Sequence, residues 1–179
     1  MQLRLLDEPD VTSAEDAAIR AGLCRCFPPD IEVFSQARSW HGSRPAFSLV
    51  AEEGREIVAH AGIVDREIRV GGKPVRLAGV QNVYVLPEYR GQGLFRQVMD
   101  EAMDEARRRG LEFGLLFCTP DIGAKYSRLD WHALDERTVT RIDEQGLPCP
   151  LPEKNVTMYL PLVGRPFPPG DIHLMGNDW

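Results

Sequence analysis

Tyr89-Arg90-Gly91-Gln92-Gly93-Leu94-Phe95 lies between a strand-like run, Gln81 to Leu86, and an amphipathic helix that begins near Leu94. Glycines let a backbone approach a ligand closely, while the unpaired N–H groups and positive dipole end of a helix's first turn favour anions. The segment therefore reads as an anion cradle, and its ligand as phosphorylated. The Gly-Lys-Ser/Thr of a Walker loop is missing, and so are the three early glycines of a dinucleotide fingerprint.

A chain of 179 residues fits one domain with a substantial core, so a single unit over 1–179 is expected. Hydrophobic content of 43% and charged content of 27% are ordinary for a soluble globule, and no apolar run is long enough to span a membrane. Met1 to Asp10 lacks the basic and apolar regions of a signal peptide, which makes the cytoplasm the expected location. The net charge of -6 argues against a general nucleic-acid binder and favours cationic substrates. Cys24, Cys26, Cys118 and Cys149 lack the spacing of a zinc site or a disulfide framework, so no metal is expected and the thiols read as free.

Leu3 to Leu6 is a candidate first strand, and Val11-Thr12-Ser13 offers hydroxyl caps for a helix to about Cys26, ended by Phe27-Pro28-Pro29. A short helix or loop covers Ile31 to Trp40, and His41-Gly42-Ser43-Arg44-Pro45 reads as a turn. Phe47 to Glu52, Glu56 to Val70 and Pro74 to Leu86 read as strands of an antiparallel meander, joined at Glu53-Gly54 and Gly71-Gly72-Lys73. The helix from Leu94 to about Arg109 carries one apolar face: Leu94, Phe95, Val98, Met99, Ala102, Met103 and Ala106. Phe113 to Cys118 is an apolar strand that a crossover helix would set parallel to the strand ending at Leu86. A helix over Ile122 to Leu129, a strand over Ala133 to Ile142, a Pro-rich loop from Gly146 to Glu153 and a strand over Val156 to Leu162 complete the pattern.

Val83-Tyr84-Val85-Leu86-Pro87-Glu88-Tyr89-Arg90-Gly91-Gln92-Gly93 resembles the coenzyme A pyrophosphate loop of the GCN5-related N-acyltransferases. Arg90 and Gly93 match that family's Arg/Gln-x-x-Gly-x-Gly/Ala core, and Phe95 stands where the last small residue is usual. The resemblance implies an α/β fold with a mixed, mostly antiparallel sheet flanked by helices, in which a splayed strand pair holds acetyl-CoA or another acyl-CoA. It implies that Arg90, Gly91, Gln92, Gly93, Leu94 and Phe95 bind the pyrophosphate, and that the backbone of Val83, Tyr84 and Val85 bonds the pantetheine arm. Donors preorganised at the acyl carbonyl would stabilise the charge that develops there. Ala124-Lys125-Tyr126-Ser127-Arg128-Leu129-Asp130-Trp131 is similar to the family segment whose tyrosine protonates the leaving thiolate, which makes Tyr126 the candidate acid; Asp130 replaces the usual glycine.

An amine of pKa about 10 is neutral about one time in a thousand at pH 7, a deficit of roughly 4 kcal/mol, so a base would help such an acceptor. Many family members carry a glutamate on the strand entering the loop; here Gln81 and Asn82 stand in that neighbourhood. His60, Glu67, Glu88 and the carboxylate of Trp179 remain, with His60 preferred for the neutral-range pKa of imidazole. An acceptor amine of pKa near 8, as in amino sugars, would need little base.

Ser39 to Pro45, Val58 to Gly62 and Pro161 to Pro166 with Pro169 to Ile172 are similar to nodulation N-acyltransferases. Ile57 to Ile63 and Leu174 to Trp179 are similar to aminoglycoside 2'-N-acetyltransferases. Both lineages modify amino sugars. The resemblance implies an amino-sugar acceptor touched by Gln81, Asp178 and Trp179, with a possible homodimer and with acyl carrier protein not excluded as donor. A protein or polyamine acetyltransferase, and a non-catalytic acyl-CoA-binding sensor or interaction module, are the alternatives.

Overall fold

Apolar residues that alternate beside a two-residue Gly71-Gly72 turn and become a continuous buried run over Ile57–Val64 make the longest hairpin, β3 (Glu56–Val70) with β4 (Lys73–Val85). The computed structural model describes residues 1–134, 137–151 and 155–179. β1 (Gln2–Asp7) pairs antiparallel with β2 (Phe47–Glu53), and β2 pairs antiparallel with β3. β4 then pairs in parallel with β5 (Phe113–Cys118), and β5 pairs antiparallel with β9 (Val156–Pro161). Among the described residues the sheet has ten strands, and only β4–β5 and the pair β7 (Val139–Ile142) with β10 (Ile172–His173) run parallel.

Helix α1 (Ser13–Cys26) starts where expected: Thr12 and Glu15 form a reciprocal capping box that satisfies two otherwise orphaned amides. A single turn, α2 (Ile31–Phe34), buries Phe34, and a 3-10 turn covers Trp40–Gly42. The apolar stripe of α3 (Leu94–Arg108) buries Leu94, Val98, Met99, Ala102, Met103 and Ala106 in the larger of two hydrophobic clusters. Helix α4 (Pro120–Ser127) begins two residues earlier than the sequence pattern suggests, because Pro120 suits the first helical position.

The strand expected over Ala133 to Ile142 is instead two. β6 (His132–Ala133) pairs with β9, whereas β7 (Val139–Ile142) lies at the other side of the sheet against β10 (Ile172–His173). Residues 135–136, within that expectation, lie outside the described residues. The Pro-rich segment also contributes a short strand, β8 (Pro148–Pro150), antiparallel to β7; its expected end at Glu153 is outside the described residues. β10 itself was not legible. It pairs with the far end of β3, and the segment behind it packs Leu174 and Trp179 into the second hydrophobic cluster with Val64, Leu77, Phe113 and Leu115. Among the described residues, no helix is long and apolar enough to cross a membrane, and no His/Cys/Asp/Glu cluster is arranged to hold a metal ion.

Candidate active site

The β4–β5 pairing covers only Leu77↔Phe113, Ala78↔Gly114 and Gly79↔Leu115. Beyond Gly79 the two strands part, and a cleft of about 1110 Å³ opens between Val80–Val85 on one side and Leu116–Cys118 on the other. An unpaired strand edge presents amides and carbonyls with no partner in the sheet, so an extended polar arm can complete it. The wedge at the parting point is the Trp179 indole: it packs on Gly79 and donates from Nε1 to the Leu115 carbonyl (3.3 Å). The Arg66 guanidinium lies over the ring, 5.2 Å from its centroid.

One end of the cleft is the glycine-rich loop. Gly93 caps α3 with φ 79, a left-handed backbone that L side chains rarely adopt, and no side chain caps the helix. The first helical bond runs from Gln97 N–H to the Gly93 carbonyl (3.1 Å), so the amides of the turn before it have no acceptor within the helix. A Cβ at Gly91 would meet nothing within 4 Å, so the loop faces open space. Arg90, Arg96, Lys125 and Arg128 line this end and make it cationic. The donor set fits a diphosphate. Arg90 also donates from Nε to the Val85 carbonyl (3.1 Å), which ties the loop back to the strand that feeds it.

Where Gly62 of β3 faces Gln81, the register slips by one residue relative to His60↔Tyr84, and Asn82 takes φ 56. This is a β-bulge, a device that re-aims a strand beside a site. His60 holds it: Nδ1–H donates to the Asn82 carbonyl (2.9 Å), and Nε2 accepts from the Ser48 hydroxyl (3.1 Å). The residue is 1% exposed, does not line the cleft, and burial lowers its pKa to about 4. The expectation that His60 acts as base is therefore corrected: an imidazole enclosed with both nitrogens engaged braces the bulge and cannot reach an acceptor.

Tyr126 lines the cleft wall opposite β4, its ring edge-on to Phe95 (5.3 Å) and Trp131 (5.8 Å). Burial raises the phenol's pKa above its ordinary value, so the hydroxyl keeps its proton and is available as a donor. Cys118 sits on the same wall. Burial pushes its thiol up to about 11, which leaves it protonated and a poor nucleophile near neutrality.

At the other end, the loop Arg38–Ser43 is fastened to the bulge and to α1. Gln81 donates to the Ser43 carbonyl (2.6 Å) and accepts from the Trp40 amide (3.4 Å), and Asn82 Nδ2 donates to the Arg38 carbonyl (2.5 Å). Arg38 in turn pairs with Glu8 (2.8 Å) and Asp16 (2.7 Å). Gln81 lines the cleft, but both ends of its amide are engaged in positioning this loop. His41 projects from the loop, and its Nδ1 lies 2.7 Å from Asp178 Oδ1.

The cleft thus brings together Gln81, Val83, Tyr84, Val85, Arg90, Gly91, Gly93, Leu94, Phe95, Tyr126, Asp178 and Trp179. Gln92 and His60 are off its wall. Trp40, His41, Asn82, Lys125 and Arg128 line it too, beyond the site residues that the sequence singles out; His41 stands in a turn-like stretch that carries a resemblance but no signal of a role, and its neighbour Asp178 is 137 residues away.

Two strands diverge above an uncapped, cation-lined helix start, so a half-finished sheet edge stands beside an anion-binding turn. The acetyltransferase (GNAT) domain family matches residues 10–134, and the chain belongs to that family. Nodulation protein A of Bradyrhizobium elkanii is 30% identical over 98 residues, a match that covers 54% of this chain and 45% of that protein. An aminoglycoside 2'-N-acetyltransferase of Mycolicibacterium fortuitum is 27% identical over 153 residues, covering 80% of this chain and 76% of that protein. A crystal structure of the GNAT family N-acetyltransferase YhbS from Escherichia coli in complex with CoA shares the fold, with a TM-score of 0.68 at 18% identity over 97% of this chain and 89% of that one.

Proposed function

We propose that this protein is an acyl-CoA-dependent N-acyltransferase that moves an acyl group, by preference acetyl, to the primary amine of an amino sugar or aminoglycoside-like acceptor. The observation that carries the reading is the parting of β4 and β5 directly above the glycine-rich start of α3. The amides of the Gly91–Phe95 turn and the Arg90, Arg96 and Lys125 side chains receive the diphosphate, while the free edge of Val83, Tyr84 and Val85 receives the pantetheine arm. The thioester then lies between β4 and Tyr126. The acceptor nitrogen attacks the acyl carbon, the C–S bond breaks, and the Tyr126 hydroxyl protonates the departing thiolate. Attack is direct, since desolvation and the nearby Asp121 charge keep the half-buried Cys118 thiol protonated.

The acceptor class is supported by the likeness to a protein named as an aminoglycoside 2'-N-acetyltransferase and by the acidic Asp30 and Asp178 and the aromatic Trp40 among the residues that line the cleft. Gln81 shapes this end through the loop it anchors, and Asp178 and Trp179 form its floor. The protein acts as one unit in the cytoplasm, alone or as a homodimer, with acyl carrier protein as the other conceivable donor. The test is thiol release from acetyl-CoA with glucosamine oligomers and aminoglycosides, set beside polyamines and lysine peptides. Turnover confined to the amino sugars supports the reading. Stoichiometric binding of acetyl-CoA without turnover of any amine would make the protein a sensor instead.

A further inference from the structure

The mechanism above has no base assigned: His60 is enclosed, Gln81 cannot take up a proton, and Glu67 and Glu88 do not line the cleft, Glu88 being paired with Arg25. On that reading of the cleft, we propose that His41, oriented by Asp178, is the catalytic base that deprotonates the acceptor amine.

A carboxylate only accepts hydrogen bonds, so the 2.7 Å contact with Asp178 Oδ1 fixes the proton on Nδ1 of His41. The lone pair on Nε2 is thereby left free. The imidazole is 38% exposed and lines the cleft, whereas the carboxylate behind it is only 13% exposed. A half-open ring backed by a buried acceptor is the arrangement in which a carboxylate sets the tautomer and stabilises the imidazolium that forms.

Both partners are held from several directions, as a catalytic pair must be. His41 takes φ 45, and its carbonyl accepts from Asn177 Nδ2 (3.3 Å). The Asp178 carbonyl accepts from the Ser43 hydroxyl (2.8 Å), and its carboxylate also meets Arg141 of β7 (3.1 Å). Arg66 of β3 donates to the Asn177 carbonyl (2.5 Å), and Asp30 lines the same cleft. Asp178 and Arg141 are thus the charges bonded at the pair, with Arg66 beside them on Asn177. In the step itself, Nε2 accepts the proton that the amine nitrogen sheds as it bonds to the acyl carbon. The C–S bond breaks, and the thiolate takes its proton from Tyr126.

The test compares wild type, His41→Asn and Asp178→Asn by kcat/KM against pH, using acetyl-CoA with a glucosamine oligomer and with an aminoglycoside, together with acetyl-CoA affinity by calorimetry. Asparagine accepts the left-handed backbone of position 41 but cannot act as a base. His41→Asn should lower kcat/KM by about 10²–10⁴-fold, remove the acid limb of the profile, and leave acetyl-CoA affinity unchanged. The loss should be greater for acceptor amines of higher pKa, a trend that a purely structural role would not produce. Asp178→Asn should move the acid limb rather than abolish it. The ring-nitrogen shifts of wild-type His41 should report the Nδ1–H tautomer. An unchanged rate and limb in His41→Asn, or an Nε2–H tautomer in the wild type, would overturn the base assignment alone. Absence of turnover by the wild type with every amine would overturn the acyl-transfer reading itself, and the base assignment with it.

Discussion

The indole of Trp179 lies so close on Gly79 that a Cβ built there would stand 2.4 Å from its ring. Gly79 is also the last residue of β4 to pair with β5, opposite Leu115, whose carbonyl accepts from the same indole. The ring therefore fills the fork of the diverging strands, and glycine is what the fork requires.

Gly79→Ala should destabilise the protein by about 1–3 kcal/mol, the cost of overpacking against a rigid ring. Urea unfolding of Gly79→Ala, Trp179→Ala and the double variant checks it. The double variant should be more stable than the sum of the single losses predicts, because removing the ring removes the clash.

Gly93→Glu should abolish acetyl-CoA binding, measured by calorimetry, while the circular dichroism spectrum is retained. The left-handed backbone at φ 79 costs an L residue about 1–2 kcal/mol, which a folded domain of this size tolerates, whereas the added carboxylate meets the diphosphate directly. Unchanged affinity would remove the loop from the cosubstrate site.

Tyr126→Phe should reduce kcat by about 10²-fold or more and leave the affinity for acetyl-CoA within a few-fold. Because burial raises the phenol's pKa, the wild type should show no alkaline loss of rate from ionisation of this group up to its ordinary pKa near 10. Equal rates for the variant and the wild type would take the acid role away from Tyr126.

His60 gives the stability a pH dependence whose sign is fixed. Its pKa falls from 6.5 to about 4 on folding, so below 6.5 the unfolded chain takes up a proton that the folded protein refuses. Stability from this group is fully present above pH 6.5 and is lost as pH falls towards 4, by about 3 kcal/mol in all. Unfolding free energies at pH 7.5 and 5 should differ by more in the wild type than in His60→Gln. An equal difference would mean that His60 is not enclosed.

Legibility of the chain followed the range of the interactions. The hairpin β3–β4, helix α1 with its Thr12 cap, and the Leu94 stripe of α3 depend on neighbours a few residues away, and their patterns are explicit in the sequence. The glycine loop was legible for the same reason. The parting of β4 and β5 came from family resemblance, since periodicity does not say where pairing stops. β10 has two residues and is defined only by partners on β3 and β7. The bulge at Asn82 depends on His60 and the Arg38–Ser43 loop, so the histidine that looked like a base is a brace. The partners His41 and Asp178 are 137 residues apart, and no local pattern marks them as a pair.

The most direct test of the account is a crystal structure of the protein with acetyl-CoA. The diphosphate should lie on the Gly91–Phe95 amides, the pantetheine arm along Val83–Val85, and the thioester facing Tyr126 with His41 beyond it. Coenzyme bound elsewhere, with β4 and β5 closed together past Gly79, would contradict it.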